Sequence, residues 1–348
     1  MGNSAYSQPA DVQTKLFPEY FARLPSQSGK VIAVTGCTTG TGFVFARTAA
    51  QKGAHVVMLN RSSQRAASAE SEIRLAAPEA AAEGRITCVD CDLQDFASVN
   101  AAAAKMKELF AEKGLDCLVN NAGVMALADE ATKDGYDVQM QTNHLSHFLL
   151  TQQLFPLLTK AADQRGEARV VSHSSIARFG AKLDAKYLGK NGGSLGGNSS
   201  SMFCNGARWV RYHHTKLANA VFTLALHDRL TSANSKVKAV CAAPGLAATN
   251  LQVTTANDGG FSAGWIMRFS QSPEDGTLPL LICAMGLEAT EKEPAVTVGS
   301  GELWEPTSNA ACSGRPGLRQ LTKEVSDAPS REMLWQESEK ACGPFQMA

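Results

Sequence analysis

The sequence predicts an α/β fold in which one parallel sheet is wound with helices on both faces. Short apolar runs such as Val31-Ile32-Ala33-Val34 and His55-Val56-Val57-Met58-Leu59 read as strands buried on both sides. Segments of helical composition separate them, and parallel strands need such crossovers. No internal period of the kind that marks a solenoid interrupts the alternation.

The first strand is followed by a helix from about Gly42 to Gln51, which Gly53 stops. After the second strand, residues 63–77 are rich in Ala, Glu and Arg and favour helix. Arg85–Val89 reads as a third strand, Phe96–Glu112 as a helix and Asp116–Val119 as a fourth strand. A longer helix is expected over Gly135–Thr159 and a fifth strand over Ala168–Val171. The Gly- and Ser-rich stretch 176–207 breaks the rhythm and reads as an insertion. Helix returns over Trp209–Leu230, followed by a sixth strand over Val237–Cys241. An irregular apolar-aromatic stretch, 246–272, precedes a helix over Pro273–Leu287. A last strand near Glu302-Leu303-Trp304 brings the sheet to about seven strands. The expected organisation is an N-terminal extension over 1–29 with a short helix, one doubly wound domain over 30–305, and a polar C-terminal tail over 306–348.

Composition narrows the function classes. Lys+Arg and Asp+Glu balance at 33 each, so no basic field invites nucleic acid or anionic lipid. No apolar run reaches the about 18 residues of a membrane span. The start of the chain lacks a secretory pattern, and its Met1-Gly2 opening puts Tyr6 where a myristoylation signal wants Ser or Thr. Nine cysteines without regular spacing read as buried thiols in a reducing compartment. The close pair Cys88 and Cys91 has no second pair or neighbouring histidine, so no metal site is expected.

Three local patterns carry chemistry. Thr35-Gly36-Cys37-Thr38-Thr39-Gly40-Thr41-Gly42 follows the first strand and opens the first helix. In that place glycines let the backbone approach a pyrophosphate, whose charge meets free N–H groups at the helix start. Leu59-Asn60-Arg61-Ser62 ends the second strand with no acid, and Arg61 stands where a basic residue accommodates a 2′-phosphate. That favours NADP(H) over NAD(H), with Ser62 or Arg65 as helpers; a merely solvated arginine is the rival reading. Tyr212 and Lys216 lie four residues apart on one helix face. An ammonium near a phenol favours the phenolate and suits the phenol to proton transfer, although a surface Tyr/Lys pair has the same spacing.

These patterns occur in one order with Asn120-Asn121-Ala122-Gly123 after the fourth strand, Asn143 in the next helix, Ser174-Ser175 after the fifth strand and Pro244-Gly245 after the sixth. The series resembles the short-chain dehydrogenase/reductase family, of Rossmann type, from about Lys30 to Leu287. The resemblance implies a pyrophosphate cradle from Gly36, Thr38, Thr39, Gly40, Thr41 and Gly42, and adenine contacts from Asp92 and Leu93. It places Asn120, Ala122 and Gly123 along the cofactor, and Pro244, Gly245 and Thr249 near the nicotinamide, with Thr249 on its carboxamide. It makes Ser175 a hydrogen-bond donor to the substrate carbonyl and Tyr212 the proton donor or acceptor. Lys216 would hold the ribose hydroxyls and lower the tyrosine pKa, and Asn143 would anchor a relay water. His213 and His214 read as helix-surface or packing residues. Each of these positions has a bland alternative: Ser175 as a turn hydroxyl, Asn143 as a helix cap, Asn120-Asn121 as a turn.

Within the family, Tyr212–Asn219 and Met333–Ser338 are similar to the retinol-dehydrogenase-like branch, which includes WW-domain-containing oxidoreductases. The long insertion departs from the family pattern. With residues 246–272 it is expected to roof the substrate site, where Phe261, Trp265, Ile266, Met267 and Phe269 suit a lipophilic carbonyl or alcohol or simply pack the loop. A light-dependent protochlorophyllide reductase-like enzyme and a non-catalytic NADP-binding regulatory protein are the alternatives; an extended-type epimerase fits the glycine spacing less well. The resemblance further implies pairing of two copies through the helices bearing Asn143 and Tyr212.

Overall fold

The computed structural model describes residues 12–201, 206–249 and 270–347. Its sheet has eight strands in the order β3-β2-β1-β4-β5-β6-β7-β8. These are β1 Val31–Thr35, β2 His55–Asn60, β3 Ile86–Asp90, β4 Cys117–Asn120, β5 Ala168–His173, β6 Val237–Ala242, β7 Leu303–Ser308 and β8 Ser313–Leu318. β1 pairs in parallel with β2 on one side and β4 on the other, Ile32 lying opposite both Val56 and Cys117. The chain therefore leaves the sheet centre in both directions, the topology in which open α/β sheets bind ligands beyond the carboxyl ends of the strands.

Strand alternation divides the apolar residues into two cores. Val31 and Ala33 join Val57 and Leu59 against α5 (Phe96–Phe110), α7 (Ser146–Arg165) and α8 (Ala207–Ser232). Ile32 and Val34 join Val56 and Met58 on the opposite face, against α1 (Phe17–Arg23), α2 (Gly40–Gln51), α3 (Gln64–Ala76) and the helix Pro273–Met285, here α9. The short α4 (Pro78–Ala82) opens with proline in its first turn. The expected extension is thus tied down: Asp275 at the start of α9 accepts from the backbone N–H groups of Leu16 and Phe17, both at 2.9 Å.

The helix expected from Gly135 starts later. Asp137 accepts from the N–H groups of Gln139 and Met140 at 3.0 and 2.8 Å, which caps α6 (Val138–Met140). A π-helical turn, Gln141–Leu145, joins α6 to α7, and Gly166, at φ +92°, ends α7.

The largest departure lies after residue 305, where a polar tail was expected. β8 runs antiparallel to β7, and its sequence, Ser-Gly-Arg-Pro-Gly-Leu, has no alternation to announce it. A proline is tolerated there because β8 is an edge strand. Two helices follow, α10 (Lys323–Ser326) and α11 (Ala328–Cys342). The indole of Trp335 on α11 packs against Phe148 of α7 at 5.2 Å and Phe222 of α8 at 6.2 Å, between ring centroids. α11 therefore covers part of the face formed by α7 and α8.

Candidate active site

The glycine turn sits at the carboxyl end of β1. Gly36 adopts φ +70°, and a Cβ there would come within 2.8 Å of Ala122. Gly40, at φ +60°, faces the side chain of Thr249, which joins the turn to the segment after β6. A Cβ on Gly42 would collide with the Gly36 carbonyl oxygen and the Asn121 amide. Its missing side chain lets α2 close onto β1. Thr38, Thr39 and Gly40 lie half-buried on the turn. Thr39 precedes α2 without a side-chain cap, and the first turn of α2 holds no acid. A helix start with uncapped N–H groups and no negative side chain fits a pyrophosphate.

Asn120, the last residue of β4, and Asn121 just beyond it meet different partners. The Asn120 amide donates to Thr151 of α7 at 3.0 Å, pointing away from the turn. The Asn121 amide donates to the Thr35 and Gly36 carbonyls at 2.8 and 3.2 Å, and its oxygen accepts from Thr41 at 3.2 Å. Asn121 is the residue that the sequence reading left out. Asn121 also contacts His173 Nδ1 at 2.8 Å, and Thr35 Oγ1 contacts His147 Nε2 at 2.9 Å. Burial lowers the pKa of His147 to about 4 and that of His173 well below the usual imidazole value, so both rings are neutral links at physiological pH.

Tyr212 and Lys216 share the inner face of α8, and both are buried. The Lys216 ammonium lies 5.9 Å from the phenol ring centroid and donates to the His173 carbonyl at 3.1 Å. A Cβ on Gly123 would come within 3.3 Å of both Lys216 Nζ and Asn143 Oδ1, so this glycine keeps the space beside the ammonium open. Burial raises the Tyr212 pKa to about 12, opposed by a hydrogen bond with Ser175. Burial also lowers that of Lys216 to about 8. Ser175 Oγ accepts from the Ala177 N–H at 3.2 Å, and Ser174 Oγ donates to the Lys216 carbonyl at 2.6 Å. The two serines thus tie the end of β5 to α8.

Asn143 sits in the π-helical turn with its side chain fully engaged. Its oxygen accepts from Val124 N at 2.8 Å, and its amide reaches Val124 O and Thr215 Oγ1, both at 2.9 Å. A π-turn inserted in a helix is a frequent feature of functional sites. Here its side chain supports the 123–124 backbone beside Lys216.

The remaining expected residues fall around this centre. Arg61, with Ser62 and Arg65, is exposed at the end of β2, and neither arginine forms an ion pair among the described residues. Asp92 is half-buried and caps Gln94 N at 2.9 Å, and Leu93 is buried with its carbonyl accepting from Ser146 at 2.6 Å. Pro244 and Gly245 follow β6, and Gly245, at φ +66°, lies against the backbone of Ala311 and Cys312. His214 packs its ring on Tyr187 at 4.1 Å, consistent with a packing role. The eight described cysteines are free thiols, and no cluster of metal-ligating side chains occurs among the described residues. Phe261, Trp265, Ile266, Met267 and Phe269 lie outside the described residues. No helix among the described residues is long and apolar enough to cross a membrane.

The family model described as short chain dehydrogenase matches residues 30–187. An uncharacterized oxidoreductase of Schizosaccharomyces pombe is 36% identical over 212 residues, 60% of this chain and 58% of that protein. Mouse retinol dehydrogenase 12 is 37% identical over 202 residues, 58% of this chain and 57% of that protein. The matches thus span a little under three-fifths of these relatives' length. A crystal structure of an uncharacterized protein from Mycobacterium paratuberculosis superposes with a TM-score of 0.70 at 29% identity, covering 96% of this chain and 99% of that one. An NAD(P)-dependent gluconate 5-dehydrogenase structure from Beutenbergia cavernae with bound NADP gives 0.53 at 26% identity, covering 75% and 91%. With the ordered motifs and the sheet topology, these likenesses make the chain similar to the short-chain dehydrogenases/reductases, retinol dehydrogenases among them.

Proposed function

We propose that the protein is an NADP(H)-dependent oxidoreductase that interconverts a lipophilic ketone or aldehyde and its alcohol, with Tyr212 as the proton donor in reduction. The observation that carries this reading is the burial of the Tyr212 phenol and the Lys216 ammonium on one helix face, beside Ser175 and Gly123. When bound, NADP(H) supplies or accepts the hydride. Gly36, Thr38, Thr39, Gly40 and Thr41 hold its pyrophosphate, Asp92 and Leu93 meet the adenine, and Ala122, Gly123, Pro244, Gly245 and Thr249 border its nicotinamide half.

In reduction the Tyr212 phenol, kept protonated by burial, gives its proton to the carbonyl oxygen. Ser175 donates a hydrogen bond to the same oxygen, since its own acceptor capacity is partly used by Ala177 N. The Lys216 ammonium stabilises the phenolate left behind, and a proton from solvent restores the phenol. Asn143 keeps Gly123 and Val124 in place at the side of that ammonium. Support for a lipophilic substrate comes from the aromatic residues between 261 and 269 and from the retinol dehydrogenases among the relatives. Pairing of two copies through α7 and α8 would have to displace α11 where it covers them.

Arg61 selects the phosphorylated dinucleotide. A guanidinium free of ion pairs among the described residues can give charge-assisted hydrogen bonds to a 2′-phosphate, worth about 1.5–3 kcal/mol. Arg61→Ala is therefore expected to raise KM for NADPH by roughly 10- to 100-fold and leave KM for NADH nearly unchanged. Steady-state reduction of a panel of lipophilic aldehydes and ketones with each dinucleotide measures this. Equal use of NADPH and NADH by the unmodified protein would refute the cofactor assignment.

A further inference from the structure

The Ser174-Ser175 pair is held from two sides, and only one of them is the helix that carries Tyr212. On that side Ser174 Oγ donates to the Lys216 carbonyl at 2.6 Å. On the other, Arg178 folds back from the 3-10 turn Ile176–Gly180 so that its Nη1 donates to the Ser175 carbonyl at 3.0 Å. The same guanidinium donates through Nη2 to Glu305 Oε2 on β7 at 2.6 Å. Both side chains are 1% exposed. The second carboxylate oxygen of Glu305 faces Arg319 Nε at 3.1 Å, just beyond β8. Glu305 and Arg319 lie outside residues 30–187, the stretch matched by the family model.

A fully buried ion pair is a poor way to gain stability, because desolvation of both charges offsets their attraction. What a guanidinium provides there is geometry: a rigid planar fork that holds two acceptors at a fixed separation. Here the two acceptors are the peptide of Ser175 and a carboxylate anchored in the sheet.

We propose that Arg178, through its buried pair with Glu305, is a positioning residue for Ser175. It fixes the Ser175 peptide so that the hydroxyl points at the carbonyl oxygen that Tyr212 protonates. This rests on the reading of Tyr212 and Ser175 given above.

The test is a double-mutant cycle between Arg178→Lys and Ser175→Ala, read in carbonyl reduction with NADPH. A lysine keeps the charge beside Glu305, but its single nitrogen cannot span both acceptors. Arg178→Lys is expected to lower kcat by roughly 10- to 100-fold, the cost of a misplaced group. The dissociation constant for NADPH should stay within about twofold. In the Ser175→Ala background the same change should leave kcat unmoved, because the group being positioned is already gone. An unaltered kcat for Arg178→Lys alone would overturn the proposal, and so would an equal loss in both backgrounds. Should the lysine variant fail to fold, Glu305→Ala, which removes the acceptor for Nη2, enters the same cycle with the same expectations. Absence of turnover by the unmodified protein would instead strike at the oxidoreductase reading, and the positioning role would fall with it. Turnover indifferent to Arg178 removes the positioning role alone.

Discussion

Tyr212→Phe is expected to lower kcat for carbonyl reduction by roughly 10²- to 10⁴-fold, the range that a positioned general acid contributes. NADPH affinity should change little. The phenol ring packs against Trp209 at 6.0 Å between centroids, and phenylalanine keeps that contact. What is lost is the hydroxyl that meets Ser175, leaving Lys216 without the phenolate it would stabilise. Rapid-mixing kinetics of NADPH oxidation, with fluorescence titration of NADPH binding, separates the two quantities. A regulatory protein that only binds NADP would behave differently, since its cellular function would survive the substitution with binding intact.

Gly42→Ala should have the largest effect on the fold around the dinucleotide. The added methyl group has nowhere to go, because one neighbour is the Gly36 carbonyl of the turn itself. The other is the Asn121 amide, which holds the Thr35 and Gly36 carbonyls. Overpacking of this kind costs about 1–3 kcal/mol, or a fall in Tm of several degrees for a domain of this size, at about 2–4 °C per kcal/mol. Because the displaced atoms form the turn, NADPH affinity is expected to fall by more than about tenfold as well. Gly189→Ala is the matched control: Gly189 has no atom within 4 Å of an added Cβ and no left-handed φ, so it should be neutral to within about 0.5 kcal/mol. Differential scanning calorimetry with and without NADPH reads both effects.

The parts of this molecule that were legible in the sequence are those where burial on both faces leaves a long apolar signature. β1, β2, β5 and β6 are of that kind, and so is the glycine turn, whose place between a strand and a helix is itself the signal. Tyr212 and Lys216 were legible because helical spacing puts i and i+4 on one face. Position on a face does not state burial, and burial sets both pKa shifts. β8 stayed hidden because two glycines and a proline in six residues look like a loop, and only pairing with β7 makes them a strand. α11 carried its punctuation in plain view, with Asp327 as cap, Pro329 in the first turn and Gly343 as stop. Its polar composition masked the narrow stripe around Leu334, Trp335 and Ser338 that the core buries. Arg178 and Glu305 were illegible for a different reason: 127 residues separate them, and no local pattern links an arginine after one strand to a glutamate in another.

The central claim is that a buried ammonium and a buried phenol together serve a bound dinucleotide. It is tested most directly by kcat/KM for NADPH in carbonyl reduction, followed from about pH 6 to about pH 10, because this parameter reports ionisations of the free enzyme. Lys216 is charged below about 8 and neutral above it, while Tyr212 stays protonated up to about 12. The activity should hold level on the acid side and decline with a midpoint near 8. A profile that stays flat across the range, or the absence of carbonyl-dependent NADPH oxidation at every pH, would contradict it.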